Sequence, residues 1–482
     1  MTPAAVIATL TGYIALLFVV AWISGRRTDN AGFFTANRRT PWYLAAFAMV
    51  GAAMSGVTFI SVPGSVAADS FSYMQMVAGF TVGQFIVAYL LVPTFYRLKL
   101  VSLYEYLDDR FGARTHAAGA WCFFVAKMLG AALQVYVVCT VMQLLVFDRY
   151  GLPFWLNAAV TMALVWLYTR QGGVRSLIRT DILKTCCLIA SLVLSILFIT
   201  RALGLSFGEM TREVAASPHS RILFLDDPAS DRYFWKMFVA GIVTLVAMTG
   251  LGQDMMQRNM SCPTPRDAQK NILLTAVCQI FVIFLFLVLG VLLYLYVDHA
   301  GLTLPEKSDQ VFPLVAADGG LPAVVGVLFL VGLLSSTYSA AGGSLTALTT
   351  SFTVDILKAP QRHDDNALTR IRRRVHAAMA AGMALVILAF GYGADDSSIN
   401  LVFRVVSYTY GPILGMFLFG FFTRRQVRDR WMPLVAVAAP VLSALLQWGV
   451  REVWDYRIGF ELLVYNAAFT IIGMLLLKRH EK

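Results

Sequence analysis

Apolar runs of bilayer length recur along the whole chain, at about 4–24, 42–66, 71–96, 115–147, 153–169, 180–204, 233–252, 270–297, 321–352, 375–394, 399–423, 431–450 and 460–477. This pattern leaves little choice of fold. In hydrocarbon every backbone N–H and C=O must be satisfied within the protein, so each run has to be a helix unless the runs close into a barrel. Runs of 17 residues or more are far too long for barrel strands. The expected fold class is therefore an all-α integral membrane protein with about 13 transmembrane helices. Of its 482 residues, 58% are hydrophobic and only 14% charged, and no long polar stretch is left over for a soluble domain. A single membrane domain over 1–482 follows.

The placement of charge orients the helices. The net charge of +11 sits mostly in the segments at 25–41, 97–114, 170–179, 253–270, 353–374, 424–430 and the C-terminal tail. Arg26, Arg27, Arg38, Arg39, Arg370, Arg372, Arg373, Arg374, Arg424, Arg425, Arg428 and Arg430 lie there. The alternate loops hold Asp226, Asp227, Glu306, Asp309, Asp395 and Asp396. By the positive-inside rule the basic set is cytoplasmic, with the N-terminus outside and the C-terminus inside. The basic partner surface is then membrane lipid and not nucleic acid. The first segment, Ala4–Ile23, is followed and not preceded by basic residues, the reverse of a signal peptide, and is expected to remain as an anchor. All of the six cysteines but Cys262 fall in apolar segments, and neither they nor the histidines show metal-ligand spacing. The long outside loop at about 205–232 is expected to be a connector with a short surface helix.

Two spans are irregular. In the second, Gly51-Ala-Ala-Met-Ser55-Gly-Val-Thr58-Phe-Ile-Ser61-Val-Pro63-Gly64 sets small, polar and helix-breaking residues at membrane depth. The seventh, five spans later, repeats the theme with Thr244-Leu-Val-Ala-Met-Thr249-Gly250-Leu-Gly252. Such breaks are either proline kinks or unwound segments whose freed carbonyls bind an ion, as in secondary transporters. In the ninth span, Ser335, Ser336 and Ser339 share a face at i, i+1 and i+4. They either let helices pack closely, with hydroxyls bonded back to carbonyls, or offer oxygen ligands to a hard cation such as sodium.

Five motifs in this order carry a resemblance: Ser55-Gly-Val-Thr-Phe-Ile, Leu103-Tyr-Glu-Tyr-Leu-Asp-Asp-Arg-Phe-Gly112, Gly172-Gly173 through Thr180-Asp181, Gln253-Asp-Met-Met-Gln-Arg-Asn-Met-Ser261, and Ser335-Ser336 through Asp355-Ile356. Over nearly its whole length the chain resembles the sodium:solute symporters, the group of bacterial proline, sialic acid and galactose transporters and the sodium–glucose cotransporters. The resemblance implies a leucine-transporter-like five-plus-five inverted repeat with peripheral helices. The repeats would be 42–204 and 233–424, with 1–41 and 425–482 peripheral. It implies a sodium ion bound by the carbonyls of Gly51, Met54 and Gly332 and the hydroxyls of Ser335 and Ser336. A second sodium, held in some members by an aspartate, would fall at Asp181 with Ser339. Tyr338 stands where those members carry a small hydroxyl, and the rival role for Asp181 is a salt bridge with Arg175, Arg179 or Lys184.

For the solute, the resemblance points to the midplane between the broken helices, lined by Ser55, Thr58, Tyr73, Gln75 and Thr249. Lys127 and Arg404, with no acid nearby in sequence, either hold a carboxylate or snorkel. The arginine that binds carboxylate in sialic acid members falls near Gly130, and the galactose members' tyrosine gate near Met248. The expected function is sodium-coupled import of a small polar solute, a sugar, amino sugar or sugar acid, by a monomeric transport unit in the cell's inner membrane. No covalent chemistry is implied. The alternatives are proton coupling through Asp181, a membrane enzyme using Asp108-Asp109, and a sensor on the same scaffold.

Overall fold

The computed structural model describes residues 3–25, 30–98, 100, 102–170, 173–391, 398–454, 456, 458, 459 and 461–477. Arg26, Arg27, Gly172, Asp395 and Asp396 lie outside the described residues. The described chain is helical and builds no β-sheet. Seven helices have the length and apolarity to cross a membrane, and two bent pairs add two further spans. Four shorter apolar helices complete the set. Together they cover the apolar runs read from the sequence. One buried apolar cluster extends from Tyr13 to Met474. Large apolar side chains also face outward, for example Leu434, Val437, Val441, Leu445 and Trp448 at three- and four-residue steps along one helix. A lipid solvent makes that arrangement favourable.

The helices used below are α1 (Pro3–Gly25), α2 (Trp42–Ala53), α3 (Gly56–Gly64), α4 (Tyr73–Leu98), α5 (Ala113–Met142), α6 (Phe154–Thr169), α7 (Gly173–Ala202), α8 (Phe234–Gly250), α9 (Gln253–Asn259), α10 (Pro265–His299) and α11 (Ala323–Ile356). The second run is α2 and α3, bent by 58° at Met54 and Ser55. Pro63 is not the break: it lies inside α3, near its end. The chain unwinds eight residues earlier because Met54 adopts an extended conformation and Ser55 caps a new helix, its Oγ accepting the Thr58 N–H at 3.4 Å. The seventh run is α8 and α9, bent by 71°. A π-helical turn over Val246–Gly250 precedes this break. Gly252 is required there, since a Cβ would run into the Met248 carbonyl.

Two further boundaries differ from expectation. The sixth run begins at Gly173 and not at 180, so Asp181 lies two turns inside α7 and is buried. The eleventh run is interrupted at Tyr410, between Ser398–Thr409 and Gly411–Phe422, with Pro412 opening the second piece. The loop at 205–232 does carry a short helix, Phe207–Ala216, started by a capping box of Ser206 and Glu209.

Glycine lets the central helices approach. A Cβ on Gly79 would meet the Phe238 carbonyl, and one on Gly241 the Met76 carbonyl, so α4 and α8 touch through their backbones. α11 seats Gly332 against Phe59 of α3 and Ser191 of α7.

Candidate functional site

The break in α2–α3 faces α11. A Cβ on Gly56 would strike the Thr337 hydroxyl, which places the first turn of α3 against α11 one residue beyond Ser336. The carbonyls of Gly51 and Met54 belong to the C-terminal end of α2, where the last four C=O groups have no intrahelical donor and carry the negative end of the helix dipole. Across from them the three α11 serines have separate fates. Ser339 donates to Asp181 Oδ1 at 2.8 Å. Ser336 donates to the Leu333 carbonyl at 2.9 Å, leaving its oxygen lone pairs free to accept or coordinate. Ser335 Oγ is buried beside Tyr13 of α1 and Cys187 of α7 and makes no hydrogen bond of normal geometry. A buried unsatisfied hydroxyl carries a cost of about 1–3 kcal/mol, which an ion could offset. Freed carbonyls and hydroxyls are the ligand chemistry of a hard monovalent cation.

Between the two broken pairs lies a cavity of about 140 Å³. Ser55, Thr58, Tyr73, Lys127 and Thr249, read from the sequence as solute-lining, are among the residues around it, with Met54. Two of the expected residues do not. Gln75 is buried but turned to the loop: its Oε1 accepts the Phe224 N–H at 3.0 Å and its Nε2 donates to the Arg232 carbonyl at 2.9 Å. Arg404 is exposed and away from the cavity lining. Nor does Lys127 lack an acid: its Nζ lies 2.7 Å from Asp254 Oδ2 on α9. The partner is 127 residues away in sequence and arrives only because α8 breaks just before it.

The cavity also holds residues the sequence reading passed over. Gln84 of α4 donates to Gln279 of α10 at 2.7 Å, and both line the space with Gln134, Thr275 and Ser344. Their signal was present, since amides in the middle of apolar runs are costly unless used. Asp254 and Arg258 lay within a motif read for resemblance alone.

Behind the cavity, Asp181 is fully buried and accepts from four side-chain groups. Arg258 Nε and Nη2 reach its Oδ2 at 3.1 and 3.0 Å; Lys184 and Ser339 reach its Oδ1 at 3.3 and 2.8 Å. Of the rival partners named for Asp181, Lys184 is the one in bonding range. Of the acidic pair weighed for an enzyme, Asp108 is tied into a different network. Asp108 lies 3.3 Å from His116 Nδ1 and 3.5 Å from Lys358 Nζ. His116 Nε2 stands 3.1 Å from Asp355, which also accepts from Ser102 and Ser351. These bonds clamp the loop before α5 to the ends of α5 and α11.

The family model of the sodium:solute symporter family matches residues 33–429. The chain belongs to the sodium:solute symporter family. This family member is 27% identical over 429 residues to the human sodium/iodide cotransporter, covering 85% of the chain and 65% of that protein. It is 23% identical to the sodium/sialic acid symporter of Aliivibrio fischeri, covering 97% of the chain and 91% of that protein. The chain spans 61–65% of the length of several animal relatives. Among solved structures, a Na+-coupled sialic acid symporter in a substrate-bound outward-open state superposes with a TM-score of 0.84, at 18% identity and 99% coverage of both chains. Mhp1, a nucleobase-cation-symport-1 family transporter, superposes at 0.60, with 12% identity and coverage of 94% and 95%. These likenesses establish the fold as leucine-transporter-like.

Proposed function

We propose that this chain is a sodium-coupled secondary active symporter that imports a small polar organic solute, of the sugar, amino sugar or sugar-acid class, by alternating access. One observation carries the reading: α2 ends in freed carbonyls at a break that packs against α11, the helix that carries Ser335 and Ser336. The names of the relatives support sodium as the coupling ion and the sugar-acid class of solute. Sodium would take the carbonyls of Gly51, Met54 and Gly332 and the hydroxyls of Ser335 and Ser336. The solute would lie against Ser55, Thr58, Tyr73, Thr249 and Lys127.

In this reading the ion ties the end of α2 to α11 and fixes the orientation of Ser55 and Thr58. Sodium and solute then favour the same state, and each raises the affinity for the other by the same factor. The repeats span 42–204 and 233–424, the N-terminus lies outside and the C-terminus in the cytoplasm, and the transport unit is a monomer in the plasma membrane.

The test is thermal stability of the purified protein in sodium against potassium or choline at equal ionic strength, with wild type beside Ser336→Ala. A sodium-specific rise in wild type that the variant loses is expected. No sodium effect in wild type would turn the reading to proton coupling.

A further inference from the structure

Lys184 is fully buried within α7, and each of its three N–H donors has an oxygen in reach. These are Asp181 Oδ1 at 3.3 Å, the Tyr168 hydroxyl at 3.3 Å and the Tyr338 carbonyl at 3.2 Å. The ammonium also sits 4.6 Å from the centre of the Tyr168 ring. Ser339 adds a hydroxyl to the same carboxylate oxygen, and the Tyr168 hydroxyl bonds the Tyr338 carbonyl. Carboxylate, hydroxyl and carbonyl oxygens drawn from α6, α7 and α11 thus surround one positive charge. That is the donor set of a monovalent-cation site, with a side-chain ammonium at its centre.

We propose that Lys184 is the resident cation of this site and that it limits the chain to a single bound sodium. The inference rests on the sodium-coupled reading above for the ion it leaves in place, but the site itself is defined by Lys184 alone. Two charges explain the exclusion. Asp181 is already matched by Lys184 on one oxygen and Arg258 on the other, so a third cation would meet surplus positive charge in a dry environment. The ammonium also fills the space between the oxygens. Without Lys184 the Oδ1 lobe of Asp181, the Tyr168 hydroxyl and the Tyr338 carbonyl would be left as hard ligands facing one another.

Equilibrium binding of radioactive sodium to the purified full-length chain tests this. Wild type should hold about one sodium per chain, Lys184→Ala about two, and the Asp181→Asn/Lys184→Ala double variant about one. Lys184→Gln, which keeps an N–H for the Tyr338 carbonyl, replaces Lys184→Ala if the latter does not fold. Two sodium ions in wild type, one of them lost in Asp181→Asn, would overturn the proposal. So would an unchanged count in a folded Lys184 variant. A wild type that binds none, beside a Lys184 variant that gains one, would uphold the proposal while removing the reading of the first sodium site.

Discussion

Lys127 Nζ and Asp254 Oδ2 stand 2.7 Å apart at the wall of the central cavity, joining the middle of α5 to the first turn of α9. The Lys127 side chain is 13% exposed and that of Asp254 4%, so the pair is held in a largely dry setting. It neutralises the charged residues that line the cavity, and it ties a short helix that follows a break to a long continuous one.

Removing one partner should therefore cost more than removing both. Lys127→Met or Asp254→Leu alone leaves a charge without its partner, at about 3–5 kcal/mol. Lys127→Met with Asp254→Leu should recover most of that loss. Thermal unfolding of the three variants gives the double-mutant cycle; strictly additive losses would mean that the two side chains act independently.

Ser335→Ala removes a buried hydroxyl that makes no hydrogen bond of normal geometry. In choline its stability should equal or slightly exceed that of wild type, because no hydrogen bond is lost. In sodium it should forfeit the stabilisation that a bound ion gives, roughly 2.7 kcal/mol at 100 times the dissociation constant. Full sodium stabilisation in this variant would remove Ser335 from the ion site.

Gly79→Ala and Gly241→Ala each place a methyl against a backbone carbonyl of the opposing helix, which cannot rotate away as a side chain can. Each should destabilise by about 1–3 kcal/mol or more. Gly130→Ala is the control, with nothing within 4 Å of its Cβ. There the better helix propensity of alanine should leave stability equal or raised by up to about 1 kcal/mol. Equal losses at all three positions would argue against backbone contact between α4 and α8.

Gln75→Ala should loosen the connector without touching the cavity. The side chain holds the Phe224 N–H and the Arg232 carbonyl, so limited proteolysis between 221 and 232 should quicken several-fold. Sodium stabilisation and the solute KM should be unchanged. A raised KM with normal proteolysis would return Gln75 to the solute site.

The break in α2–α3 shows how local and global information divide. Small residues around Gly51 and Ser55 announced an interruption, and Ser55 is a good cap wherever a helix starts. Pro63 drew attention because it lacks an N–H, yet α3 carries it near its end. Gln75 and Gln84 were alike as amides in apolar surroundings; only the position of the loop at 224–232 sends one outward and leaves the other at the cavity.

By itself the sequence determined that this is a helical membrane protein, roughly where its helices lie, that the second and seventh spans are irregular and which family it resembles. These properties are legible because bilayer thickness, the cost of an unpaired backbone group and the residue types at a helix break act on neighbouring residues. The tertiary structure alone decided which charges on different helices meet: Lys127 with Asp254, and Asp181 with Arg258. In a dry interior a charge takes whichever partner the packing of distant helices brings within about 3 Å, and separation along the chain does not encode that.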